Sequence, residues 1–400
     1  MLRSSRLLVT AWLCVVLAGC WAQPDYDAGR TRWNALERSL TRENVDGLGV
    51  QWRAALDEGA VPRWVDAAAV GGAVYVVGGP GKVSRLDAGT GDVVWTRTLD
   101  PGEAPTPPYL SSPIFFRDAL RVNWSCCRAG VGGSFWLDPA TGAEIDGPPD
   151  GVGFATAIAG GALAGISPSD GHSPTGLSWG DVRLSDMAGE RGSSASTFAI
   201  VGDSVQWAYG TLARGFTGPC RPTSDPDFGC EPDWVTDLGA EPAGPVAVGP
   251  DAVAYPHSRV YPDVGNAVTV LDVATGAVRW RADFAGSIGA PVVAGGVLLV
   301  PTAGGVAALP AAGCGAPSCA PLWTVDLAGP AALPAGGDVV YAAVAGGPVV
   351  AMALGGCGAP TCSPLASVDV GGAAGDPIVA HGRVIVANAA RELVALGPPD

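Results

Sequence analysis

The hexapeptide CGAPSC, from Cys314 to Cys319, returns as CGAPTC from Cys357 to Cys362, and cysteines so spaced have two chemistries open to them. Four thiolate or imidazole donors that converge bind zinc, whereas thiols in an oxidising compartment close disulfides. No histidine neighbours either loop, and the offset of 43 residues puts the loops on separate structural units, so pairing is expected: Cys314 with Cys319 and Cys357 with Cys362. Of the ten cysteines, Cys14 lies within an apolar N-terminal leader and Cys20 at its end, which leaves an even eight. Order along the chain then pairs Cys126 with Cys127 and Cys220 with Cys230. Each short loop contributes on the order of 2 kcal/mol, enough to pin a turn and too little to hold a fold.

The other reactive side chains are scattered. His172, His257 and His381 are the three histidines, each in a different unit. Ser167, Asp170 and His172 sit together in SPSDGHS, but a catalytic triad gathers its members from separate elements, so this stretch reads as a polar loop. GGPGK, from Gly78 to Lys82, lacks the spacing and the final Ser or Thr of a phosphate-binding loop and reads as a hairpin turn. SDPDFGCEPD, from Ser224 to Asp233, offers carboxylates to calcium yet is explained by a solvated turn. No catalytic or metal-binding residue is assigned, and no cofactor is predicted.

Arg3 and Arg6 precede an apolar run from Leu7 to Ala18, which has the charge order and length of a secretory signal and is short for a membrane span. The run ends in Leu17-Ala18-Gly19-Cys20, which resembles the bacterial lipobox. That resemblance implies cleavage before Cys20, its lipidation, and a membrane anchor with no transmembrane helix. The expected organisation is a signal peptide over 1–19, a lipidated N-terminus and linker over 20–47, extended and mobile at its start, and a folded domain over 48–400. Loss of Arg3 and Arg6 takes the formal charge from −15 to −17. So acidic a body repels phosphate backbones, which excludes nucleic acid as a partner.

Composition bounds the fold. With 59 Gly, 35 Pro and 15% charged residues, the chain is rich in turn formers and poor in the residues that cover helices. The 43-residue interval recurs from Trp280 to Trp323 and from Trp52 to Trp95. Periods of about 40 to 50 residues mark four-stranded propeller blades. The two cysteine loops are then one loop in successive blades. Within a unit such as 65–99, alternating apolar residues mark strands and Gly, Asp and Thr clusters mark turns. The last turn repeats as LDAGTGDVVW from Leu86, LDPATGAEI from Leu137 and LDVATGAVRW from Leu271. Asp87, Asp138 and Asp272 can bond nearby backbone amides, and Gly91, Gly142 and Gly276 supply a positive φ.

The pattern L-D-x-x-T-G-x-x-x-W, from Leu86 to Trp95 and from Leu271 to Trp280, resembles the repeat of pyrroloquinoline-quinone-like (PQQ-like) propellers. SLTRENVDGLGVQW, from Ser39 to Trp52, resembles the segment leading into the first blade of quinoprotein alcohol dehydrogenases and their non-catalytic relatives. The resemblance implies that Trp52, Trp95, Trp280 and Trp323, with Trp234 as a less regular fifth, pack between neighbouring blades. Units start near Val65, Tyr109, Gly151, Ser194, Pro242, Ser287 and Pro330. The tail from Ala373 holds three strands, and GVQWRAAL, from Gly49 to Leu56, is an outer-type strand with no blade of its own. Joining the two closes a ring and removes its open edges. The expected fold is all-β: an eight-bladed β-propeller of four-stranded antiparallel blades, with seven blades as the alternative because the third and fourth units are irregular.

Fold does not decide function. The resemblance reaches dehydrogenases that hold pyrroloquinoline quinone and calcium beside a vicinal disulfide, and Cys126-Cys127 lies two residues from Trp124. That pair, however, follows the second strand of the second unit instead of preceding a blade. No segment matches the family's calcium-binding Glu and Asn with its catalytic Asp. The resemblance also reaches BamB-like outer-membrane assembly lipoproteins. The reading is a monomeric, non-enzymatic scaffold at the bacterial cell envelope, anchored through Cys20 on the extracytoplasmic side and binding a protein or glycan. The alternative is a PQQ- and calcium-dependent dehydrogenase or a quinone-binding sensor.

Overall fold

Val339–Val344, VVYAAV, is buried at all six positions, and a strand with no solvent face must be covered on both sides. The computed structural model describes residues 20–56, 65–79, 81–102, 109–125, 132–147, 154–159, 162–168, 174–179, 182–183, 196–217, 230–258, 266–329 and 331–399. Among these residues it meets that demand with eight sheets and a single 3-10 turn at Val45–Gly47. In sheet I, Asp66–Val70, Ala73–Gly79, Lys82–Asp87 and Val93–Thr98 pair antiparallel in chain order. Sheets II to VII repeat the meander over 109–137, 154–183, 196–237, 247–284, 292–326 and 331–368.

The irregular units keep the plan with thin outer strands. Sheet II has three strands, and Glu144 bridges Leu137 where a fourth would run. The last strand of sheet III is the pair Val182–Arg183. Sheet VIII is built from both ends of the chain. Its strands Ile378–Ala380, Arg383–Ala387 and Glu392–Gly397 are completed by Gly49–Ala55, with Gly49 opposite Gly397 and Ala55 opposite Glu392.

The core lies between consecutive sheets. Ala199 and Ala208 of sheet IV meet Val253 and Tyr255 of sheet V, and Val292 and Leu299 of sheet VI meet Val340 and Ala342 of sheet VII. One larger cluster joins sheets VII, VIII and I through Tyr341, Val386 and Val74. Burial of this kind supplies roughly 25 cal/mol per Å² of apolar surface, so each sheet depends on its neighbours for stability.

A tryptophan joint fixes the angle between neighbours. Trp234, in the outer strand Trp234–Asp237 of sheet IV, covers Gly276 in the last turn of sheet V, and its Nε1 donates to the Val273 carbonyl at 3.0 Å. Trp52 covers Gly91 and donates to Ala88, and Trp95 covers Gly142 and donates to Pro139. The turns are held by Asp87, Asp138 and Asp272, whose carboxylates accept the amides of Thr90, Thr141 and Thr275. The Arg279 hydrogen bond, with the Thr275 bonds, holds the Asp272 carboxyl down at about 2.

In sheets VI and VII the cysteine loops take the place of that turn. Cys314 is bonded to Cys319 and Cys357 to Cys362, with Cα separations of 5.8 and 5.7 Å. Trp280 covers Gly313 and Trp323 covers Gly356, but their indole nitrogens meet no acceptor among the described residues. Backbone bonds replace the lost ones. Arg281 donates to Pro317 at 2.9 Å, Thr324 to Pro360 at 2.8 Å, and Cys362 back to Thr324 at 2.8 Å. Each loop thus sews the outer strand of one sheet to the next sheet. Ala366 stands in sheet VII where Trp323 stands in sheet VI, and the reason lies in sheet VIII: its third and fourth strands come from opposite chain ends, so it has no turn to cover.

A methyl group on Gly276 would lie 2.4 Å from the Trp234 ring at a φ of +69°, so Gly276→Ala combines a clash with a left-handed strain. It should lower the unfolding free energy by about 2 to 4 kcal/mol in urea titration. Gly202→Ala, at a φ of +57° with open space around it, should cost about 1 kcal/mol.

Candidate functional site

The first strand of each sheet has one edge with no partner in its own sheet, and its N–H and C=O groups must bond elsewhere. Residues 21–37 answer that demand. Trp21 exchanges two backbone bonds with Ala69 of sheet I, at 2.7 and 2.8 Å. Phe115 of sheet II donates to Ala22 at 2.8 Å. The Gln23 side-chain amide takes both the N–H and the C=O of Ile158 in sheet III, as a strand would. Ile200 of sheet IV donates to Ala28 at 2.7 Å and Val248 of sheet V to Gly29 at 2.9 Å. Trp33–Asn34 runs parallel to Ala335–Gly336 of sheet VII, where Ala335 donates to Arg32, and Asn34 Nδ2 reaches Val379 of sheet VIII at 2.9 Å. One pass of this collar visits seven of the eight sheets in their chain order.

So tight a course bends the backbone. Asp25, Tyr26, Arg30 and Arg32 all have a positive φ, each costing of order 1 kcal/mol or more. Buried charge holds the bends. The Asp25 carboxylate accepts Arg30 Nη1 at 2.7 Å and Arg32 Nε at 2.6 Å, and Arg32 Nη2 reaches Asp376 at 2.9 Å. Arg30 Nε also donates to the Phe198 carbonyl. Burial pushes the Asp25 carboxyl up, but Arg32 and Arg30 together outweigh it and hold it below the usual range. Asp27, whose oxygens accept the Thr31 amide and hydroxyl, is pushed up by burial by more than those bonds lower it. At the far end Glu37 accepts the amides of Ser39 and Gly382, and Trp33 Nε1 donates to Gly337.

The segment expected as a mobile linker is therefore packed: Trp21 is 3%, Asn34 0% and Glu37 1% exposed. A small cavity of mixed lining remains between the collar and sheets I, II and VIII, with Asp25, Arg32, Asp66 and Asp376 beside Trp21 and Ile378. Its lining includes no hydroxyl, thiol or imidazole, and Arg32 spends its bonds on Asp25 and Asp376.

The residues singled out by sequence lie elsewhere. Cys20 is half-buried, one residue ahead of the first collar contact. Trp52, Trp95, Trp280 and Trp323 stand in outer strands, far along their sheets from the collar edge. His257 is buried in sheet V, and His381 occupies the first turn of sheet VIII, where burial lowers its pKa. The hairpin of Gly78, Gly79 and Lys82 joins two strands of sheet I, with Gly79 opposite Lys82. Ser167 belongs to the strand Ala162–Pro168, and Asp170 and His172 fall outside the described residues. Cys230 is buried and disulfide-bonded, while Cys220, Cys126, Cys127 and residues 224–229 also fall outside them. Among the described residues no three His, Cys, Asp or Glu side chains are grouped to hold a metal, and no helix is long and apolar enough to cross a membrane.

Residues 231–354 match the PQQ-like family model described as outer membrane protein assembly factor BamB. In structure the chain is similar to the computationally designed Ika8 protein, with a TM-score of 0.58 and 12% identity over 87% of this chain and 99% of that one. Looser likenesses are BamB from Moraxella catarrhalis, at 0.40 and 15% over 88% and 97%, and quinohemoprotein alcohol dehydrogenase from Comamonas testosteroni, at 0.44 and 13% over 100% and 83%. No curated protein matches the chain. Residues 231–354 thus carry the PQQ-like repeat, and the likeness to the designed protein is one of fold alone.

Asp25→Asn leaves Arg30 and Arg32 buried without their carboxylate, and should lower the unfolding free energy at pH 7 by about 3 kcal/mol or more. Because the folded pKa of Asp25 lies below its unfolded value of about 3.9, its contribution is full above that pH and is lost as pH falls through the folded value. Asp27, shifted upward, gives the opposite slope and is present in both proteins. Urea titrations from pH 7 to pH 3 should therefore show a shallower acid decline in the variant.

Proposed function

We propose that this PQQ-like propeller is a monomeric, non-enzymatic scaffold, anchored by lipid on Cys20 at the extracytoplasmic side of a bacterial cell membrane, where it binds a protein or glycan of the envelope. The collar carries the reading. In a ring of sheets a small ligand would be held at the axial channel, which the first strands line. In this chain the first strands of seven sheets bond to its own residues from Trp21 to Asn34.

We read the eight sheets as eight blades in a closed ring. Ile378–Ala380 of sheet VIII lies beside Asp66–Val70 of sheet I, and Trp52 of sheet VIII covers Gly91 of sheet I, which supports closure. A seven-bladed count would leave one sheet outside the ring. The family model over 231–354 is described as an assembly factor, and this supports a scaffold that works by contact. Export is supported by the bonded pairs Cys314–Cys319 and Cys357–Cys362, which suit an oxidising compartment, and by the charge order and lipobox of residues 1–20.

A PQQ- and calcium-dependent dehydrogenase would have to hold its quinone beside the collar. Calorimetric titration of the purified full chain with pyrroloquinoline quinone and calcium separates the readings. No saturable heat at high-micromolar quinone and no dye-linked alcohol oxidation are expected. Saturable binding with a change in quinone absorbance would overturn the scaffold reading.

A further inference from the structure

We propose that the anchor moors the ring directly on the bilayer without a tether, with the face that carries the first hairpin turn of every sheet toward the lipid. This rests on the reading of Cys20 as the acylated N-terminus. The collar begins one residue later. Trp21 is bonded in both directions to Ala69, is 3% exposed, and meets the Tyr26 ring edge-on at 5.3 Å. A single residue reaches about 3.5 Å at most, so acyl chains on Cys20 leave the protein at the collar itself.

The pairing sets the direction. Trp21 and Ala69 are antiparallel, so Cys20 lies opposite Val70, next to the Gly71-Gly72 turn that joins the first and second strands of sheet I. In an antiparallel meander the first and third turns share one face. The mooring face therefore includes the turns at Asp203, Asp251 and Asp338 and the turns held by Asp87, Asp138 and Asp272. The opposite face carries the turns between second and third strands, among them Ala303 and Ala345, and points to the aqueous side. Because the collar pairs with first strands, the anchor stands near the axis of the ring, and a disc held near its axis lies flat. The aspartates of the lower face repel anionic headgroups, so the acyl chains must supply the attraction.

The test uses the full chain, produced with its leader and reconstituted in phosphatidylcholine vesicles that contain a headgroup-quencher lipid. A fluorophore is attached through a non-natural residue at Asp203 or Asp338 on the lower face, or at Ala303 or Ala345 on the upper, all exposed positions. Quenching several-fold stronger at Asp203 and Asp338 is expected. Equal quenching at the four positions, or the reverse order, overturns the mooring. A Gly/Ser insert of about twelve residues between Cys20 and Trp21, spanning roughly 20 Å, should erase the difference while leaving the protein on the vesicles. Mass spectrometry of the N-terminal peptide separates the two levels. An unmodified Cys20 sinks the lipoprotein reading and the mooring with it, whereas an acylated Cys20 with equal quenching sinks the mooring alone.

Discussion

Every first strand in this protein exposes a backbone edge, and the need to satisfy that edge organises the rest. A buried amide without a partner costs about 1 to 3 kcal/mol, and consecutive sheets present a set of them along their first strands. Trp21, Ala22, Gln23, Ala28, Gly29, Arg32 and Asn34 meet the edges in turn. The bends that let a short segment follow so curved a path put non-glycine residues at positive φ, and the buried Asp25, Arg30 and Arg32 then hold those bends. Charge here serves the backbone.

At the outer rim the same problem of joining sheets has two solutions. Where the last turn is Asp-x-x-Thr-Gly, it offers a carbonyl to the neighbouring indole, as Val273 does to Trp234. Where a disulfide loop replaces the turn, the indole of Trp280 or Trp323 keeps its stacking over glycine and loses its acceptor, and the loop bonds to the neighbouring strand through backbone. The backbone bonds, each contributing about 1 kcal/mol net, offset part of what the unpartnered indole costs. The recurrence of one cysteine loop in consecutive units follows from its place in that joint.

The strand plan was legible because side chains carry it. Alternation in AVYVVGG, the Leu86 to Trp95 turn pattern and the outer-strand look of GVQWRAAL all report where a residue faces, and the pairing of Gly49–Ala55 with Glu392–Gly397 follows from them. The collar was not legible. It pairs mostly through main-chain groups, which leave no trace in residue type, and its Asp and Arg residues have the composition of a solvated linker. The one available hint was Ala366 in a position that matches Trp323: a missing tryptophan marks the sheet where the two chain ends meet.

That meeting of ends has a temporal side. The collar and the strand Gly49–Ala55 both lie in the first 56 residues, yet the collar's later contacts at Ala335 and Val379 and the strand's partner at Glu392–Gly397 are made only after the intervening sheets. Contacts of such sequence separation close slowly, because the loop entropy is lost before they form. The strand Gly49–Ala55 therefore stays without its partner until Glu392–Gly397 has been made. The pairing that completes sheet VIII is thereby delayed by topology alone.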